Sequence, residues 1–279
     1  MLHNNRIFWS DNATLRDLSP NLNEVLSGSE VIPFVAAEDY LFIGSDLPFN
    51  HRYIDVKVVN DEASVASVAL WNGSSWESAV DVIDQTALSG KTLARSGIIS
   101  WVPDRRKSWS KEYSTENIAA LSSLRIYDLY WVRIAFSADI KATTEINYVG
   151  HRFSNDTDLF GQYADLDDSD LLDAFDTGKT TWNDQALIAA EYIVQDLREM
   201  GIVCSKNQIL DWQVFKNASV HKTAEIIYRN FGKDYLENMQ NAKAAYKASL
   251  QVKAYNADQN QNATLDEGEK IRSQEFLTR

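Results

Sequence analysis

The spacing of apolar residues changes period partway along the chain, and that change limits the possible folds more than any other feature. Up to about residue 150, short runs such as YIDVKVVN (53–60), SVASVALWN (64–72), SGIISWVP (96–103) and DLYWVRIAFSAD (128–139) are rich in Val, Ile and aromatics. They are separated by Gly, Asn, Ser or Pro, the punctuation of short strands. In the last run Tyr130, Val132, Ile134 and Phe136 fall on one face, while Trp131 and Arg133 fall on the other. This alternation predicts an antiparallel sheet with one dry face, and several such strands predict a β-sandwich. In LWNGSSWES, Asn72 and Gly73 tolerate the left-handed geometry of a hairpin turn.

From about residue 185 the period becomes helical. Leu187, Ala190, Val194 and Leu197 form one stripe, Val214, Ala218, Ala224, Ile227, Tyr228 and Phe231 a second, and Leu236, Met239, Ala242, Tyr246 and Leu250 a third. Gly201 and Gly232 supply stops. Three amphipathic helices on short connections predict a small bundle. The expected fold class is α+β, an N-terminal antiparallel β-sandwich followed by a C-terminal small helical bundle. The expected division is an arm over 1–39, the sandwich over 40–152, an acidic linker with short helices over 153–184, and the helical domain over 185–279.

The linker expectation comes from charge. Residues 154–184 carry nine Asp against the single Lys179, a density that suits a solvated segment. Leu159, Phe160, Tyr163, Leu171, Leu172 and Phe175 interrupt it, so parts of it should dock. The whole chain carries 40 Asp plus Glu against 27 Lys plus Arg, a net charge of −13. A surface of that sign is unsuited to gripping phosphate backbones or anionic membrane. The lone Cys204 rules out an internal disulfide framework and a CxxC zinc site. Its apolar neighbours predict a buried thiol. No run approaches the roughly 20 apolar residues of a membrane helix, and the N-terminus lacks a signal core. Synthesis and retention in a cytoplasm are expected, until assembly.

Catalytic machinery is hard to find. The four histidines, His3, His51, His151 and His221, show no metal-protease spacing. There is no nucleophile elbow, and TGKT at 177–180 lacks the upstream glycine of a phosphate loop. His221 lies beside its helix's apolar stripe, where a hydrogen-bonded core histidine is expected. No catalytic residue and no required cofactor are assigned, and the chain is expected not to be an enzyme. Trp71, Trp76, Trp101, Trp109 and Trp131 gather in the β half. They fill a core or an oligomer contact, or they stack on sugar rings as in a carbohydrate-binding module. Trp76, after its turn, and Trp109, beside PDRRKS, are the pair expected to be exposed.

The stretch DQNQNATLDEGE has the spacing of a calcium loop. Asp258, Asn260, Asn262, Thr264 (through its carbonyl), Asp266 and Glu269 occupy the first, third, fifth, seventh, ninth and twelfth positions of an EF-hand loop. Ala263 departs from the glycine usual at the sharp turn. The alternative is a polar turn held by Asp and Asn bonding their own backbone. A calcium ion here would act as a local clip.

Taken together, LFIGSDLPFNHRYIDV, LWNGSSWESAVDVIDQT, SGIISWVP and YWVRIAF resemble a β-domain pattern of tailed-bacteriophage virion proteins, over about Leu41 to Ala138. The pattern runs from a glycine and Pro-Phe through a Trp-Asn-Gly hairpin and an Asp-x-Thr to a final Trp-x-Arg strand. QILDWQVFKNASVHKTAEIIYRNFG and the terminal acidic stretch look like the helical part of phage head–tail connector, or adaptor, proteins. The resemblance implies a structural neck protein that docks beneath the portal as a cyclic ring, a dodecamer of about twelve copies. Its partners would be the portal and other neck or tail proteins, with DNA passing through an acidic lumen without sticking. Its place would be the virion. A tail or baseplate component and a carbohydrate- or receptor-binding module are the alternatives.

Overall fold

The computed structural model describes residues 5–12, 14–36, 38–102, 109–250, 254–256, 258, 260, 262 and 270–272. The chain forms two compact units, one of Met1–Gly150 with Asn260–Thr264 and the other of His151–Gln259 with Leu265–Arg279.

The first unit is built from two antiparallel sheets. In chain order its elements are β1 (Arg6–Asp11), β2 (Thr14–Asp17), a short helix α1 (Ser19–Leu22), β3 (Glu30–Val31), β4 (Tyr40–Ser45), β5 (His51–Val58), β6 (Ala66–Trp71), β7 (Trp76–Ser78), β8 (Val80–Asp84), β9 (Gly97–Val102), β10 (Lys111–Glu112), β11 (Leu129–Phe136) and β12 (Glu145–Gly150). One sheet runs β2-β1-β4-β11-β6-β7, with β10 also on β11, and the other runs β3-β12-β5-β9-β8. Ile7, Trp9, Leu41, Ile43, Val68, Leu70, Val132 and Ile134 of the first sheet share one core with Ile54, Ile99, Trp101, Ile146 and Val149 of the second. This is the expected sandwich. Each such buried aliphatic or aromatic side chain contributes about 1.5–3 kcal/mol.

Two expectations change. Residues 6–11 and 14–17, placed in an arm, are strands of the first sheet, with Ile7 paired to Ile43 and Trp9 to Leu41. Their alternation is masked by the short, wholly buried run Ile7–Ser10, which packs on both faces. The first sheet also has no single dry face. Trp131, opposite to Val132 on the strand, is as fully buried, in a second core with Phe8, Phe42, Trp71, Ile118, Leu121 and Leu129. The 3₁₀ turns Thr115–Asn117 and Ala119–Leu121 bring Ile118 and Leu121 to this core. The hairpin after β6 forms as expected. Asn72 Oδ1 accepts the Ser74 and Ser75 amides at 2.8 and 2.7 Å, and Gly73 takes φ +97°.

The second unit is helical, with α2 (Asp156–Phe160), α3 (Ser169–Phe175), α4 (Asn183–Glu199), α5 (Lys216–Asn230) and α6 (Leu236–Leu250), then a short β13 (Ala254–Asn256) paired with β14 (Lys270–Arg272). The three long helices lie where the stripes place them. The acidic segment is no linker. Leu159, Leu166, Leu172 and Trp182 form a core with Val220, Ala224, Ile227, Tyr228 and Ala242, and the Trp182 indole donates to the Leu166 carbonyl at 2.8 Å. Most of its aspartates are exposed and others cap or pair: Asn155 and Asp158 close a capping box on α2, Asp168 caps α3, and Asp156 and Asp184 engage Thr181 and Lys179. The apolar interruptions outweigh the charge because only they are buried. Cys204, expected to be buried, is exposed. It stands in the bend after Val203, outside any helix stripe.

Candidate docking surface

The register of β11 decides what the outer face of the first sheet presents. Arg133 stands opposite Phe42 of β4 and Ala69 of β6, and Trp71 stands opposite Trp76 of β7. Residues alternate across a strand, so Trp131, Arg133 and Ala135 share this face with Tyr40, Phe42, Ser67, Ala69, Trp71, Trp76 and Ser78. One part of the face is roofed by Ile118 and Leu121. Glu112 ties that roof down, accepting from Trp71 Nε1 at 2.7 Å and from Asn117 Nδ2 at 3.2 Å.

Beside the roof, the rest of the face stays open. Arg133 is half-buried there between two rings. Its guanidinium carbon lies 4.5 Å from the Tyr40 centroid and 5.0 Å from the Trp76 centroid. Trp76 is braced by Trp71 at 5.2 Å and Phe42 at 5.5 Å between centroids. Burial pulls the Arg133 pKa below its ordinary value, an effect the Tyr40 phenol offsets in part. The neighbouring floor is small, with Ser67 and Ser78 exposed and Ala69 and Ala135 partly buried. Among the described residues no carboxylate pairs with Arg133. An aromatic–cation–aromatic shelf is thus held rigidly from below and unmatched in charge.

Several other groups that could carry chemistry are used internally. Asp84 and Thr86, the Asp-x-Thr of the sequence pattern, clamp a turn: Asp84 accepts the Thr86 amide and hydroxyl at 2.8 and 2.5 Å and the Thr92 hydroxyl at 2.6 Å. His221 Nδ1 meets the Tyr163 hydroxyl at 2.8 Å, the satisfied histidine expected, and burial lowers its pKa. Glu225 is buried between Lys222, at 3.0 Å, and Arg229. Lys222 Nζ also lies 4.5 Å over the Tyr192 ring and 4.9 Å over the Tyr246 ring. The Tyr246 hydroxyl donates to Asp196, and burial followed by that carboxylate raises its pKa. This network fastens α4, α5 and α6 together.

Of the expected calcium ligands, Asp258, Asn260 and Asn262 are described, while Thr264, Asp266 and Glu269 lie outside the described residues. Asp258 is buried, and its backbone brackets Gln208: its amide donates to the Gln208 carbonyl and its carbonyl accepts from Gln208 Nε2, both at 3.0 Å. Among the described residues, no three His, Cys, Asp or Glu side chains gather as a metal site, and no helix is long and apolar enough to cross a membrane.

Of the two tryptophans expected to be exposed, neither presents a bare face. Trp76 lies under Arg133. Trp109 packs on Phe49 and Tyr130 and donates its indole N–H to the Trp131 carbonyl at 3.3 Å. Trp71, Trp101 and Trp131 are buried. The centre of the surface is Arg133. The sequence placed it on the outward face of its strand, but gave no sign that the roof would stop short of it. Compared with known proteins, the chain matches no family model, no curated protein and no solved structure. The fold defines an α+β protein with an antiparallel β-sandwich unit and a helical unit.

Proposed function

We propose that this chain is a non-catalytic assembly protein that docks through the open outer face of its first sheet. Following its sequence likeness, it serves as a head–tail connector, one subunit of a ring beneath the portal of a tailed phage. The observation that supports this reading is the Tyr40–Arg133–Trp76 shelf. Arg, Trp and Tyr are enriched among the residues that carry binding energy at protein interfaces, and here Tyr40 and Trp76 pack on buried Phe42 and hold Arg133 between them before any partner arrives. Pre-ordering of this kind lowers the entropic cost of docking. Stacking of a neutral sugar is less well supported, because a sugar needs a bare ring face and Arg133 occupies that of Trp76.

The test is negative-stain microscopy of the purified chain mixed with a tailed-phage portal protein. Added ring density below the portal is expected. A bare portal, together with glycan-array binding that Trp76→Ala abolishes, would replace the connector reading with the carbohydrate one.

A further inference from the structure

We propose that the Arg133 shelf receives an aspartate from the acidic segment 167–176 of a second copy of this chain, so that copies join head to tail. The inference rests on the assembly reading above and names the partner of its docking surface.

Three features of the shelf select a short carboxylate. Arginine's five N–H donors lie in one plane, and a carboxylate can accept two of them in parallel. With Tyr40 and Trp76 on its flanks, the donor edge of Arg133 is what remains for a ligand. Aromatic rings carry partial positive charge at their edges, so the flanking rings also favour an anion. Ser67, Ala69, Ser78 and Ala135 leave room beside the guanidinium for a small side chain to descend to it.

The matching carboxylates are on the same chain's helical unit. Asp167, Asp168, Asp170, Asp173 and Asp176 are all exposed. Nearby cations are engaged elsewhere: Lys179 pairs with Asp184 and Lys216 with Asp158. Asp168 and Asp173 accept the amides of Asp170 and Gly178. The carboxylates of Asp170 and Asp176 accept nothing among the described residues. An acidic ridge and a cationic shelf are unlike surfaces, and joining unlike surfaces repeats from copy to copy until a ring closes. At a net charge of −13, copies repel one another. Such a contact is therefore strongly directional, because it places local attraction at one site against repulsion elsewhere.

Sedimentation velocity of the full chain in low salt tests this with two charge reversals, Arg133→Asp and Asp170→Arg with Asp176→Arg, each checked for native circular dichroism. Native protein is expected to self-associate, each variant alone to lose at least tenfold in association constant, and a mixture of the two variants to recover it. In the mixture the intact Arg133 of one variant meets the intact aspartates of the other, and the reversed shelf and ridge complement each other at the next contact. Arg133→Gln, which removes charge without introducing repulsion, should fall between native and Arg133→Asp. Association that survives Arg133→Asp, a mixture that stays dissociated, or native protein that remains monomeric at high concentration would each overturn the inference. In any of these cases, rings on the portal would leave the connector reading standing.

Discussion

Trp131 occupies the space a side chain at residue 44 would need. A Cβ on Gly44 would come within 2.7 Å of the indole Cζ3 and 2.8 Å of Cη2, and the two residues are direct cross-strand partners. The indole is fully buried beneath the roof segment, so it cannot swing aside cheaply. Gly44→Ala is therefore expected to cost about 1–3 kcal/mol through overpacking. Urea denaturation measures the loss, and a midpoint equal to native would show that the ring can move.

Glu225 predicts a sharper effect in the helical unit. Its carboxylate is buried between Lys222 and Arg229. Glu225→Gln leaves the Lys222 ammonium buried beside a neutral amide, and breaking a buried pair in this way costs about 3–5 kcal/mol. Lys222→Met with Glu225→Leu removes both charges and should be markedly less destabilising than the single change. Thermal melts of the two proteins decide the order.

His51 sets an acid limit. It is fully buried, with Nδ1 2.8 Å from Asn50 Oδ1, and burial followed by the Arg52 charge holds its pKa down to about 3. In the unfolded chain it titrates near its ordinary value, so between about 6.5 and 3 the unfolded state takes up a proton that the folded state refuses. Its contribution is complete above pH 6.5 and is lost as pH falls, by up to about 1.4 kcal/mol per pH unit. The stability difference between pH 6.5 and 5 should shrink in His51→Gln. An unchanged difference would show that another group carries it.

Calcium supplies a separate prediction from the terminal loop. Added to chelator-treated protein, calcium is expected to raise the melting temperature of the native chain and to leave Asp258→Asn with Glu269→Gln unmoved. The amide replacements keep side-chain size, because Asp258 also anchors Gln208 through its backbone. Equal responses in the two proteins would remove the metal.

What the sequence made legible follows from how local each signal is. The stripes of α4, α5 and α6 repeat over several turns, and the Asn72–Gly73 turn depends on its own four residues, so both could be read directly. β1 could not, because its four buried residues in a row hide the strand period. The acidic segment misled because charge dominates its composition while Leu159, Leu166, Leu172 and Trp182 dominate its packing. The docking shelf was half visible. Strand alternation put Arg133 outward with Trp131, but Tyr40 lies some ninety residues away and the limit of the roof is a tertiary property.

The most direct test of the docking surface is hydrogen–deuterium exchange of the chain alone and mixed with the portal proposed as its partner, followed by peptides covering β6, β7 and β11. Slower exchange across residues 64–78 and 129–136 on assembly, with α4 unchanged, is the result this account predicts. Unchanged exchange in those strands, with protection appearing elsewhere, would contradict it.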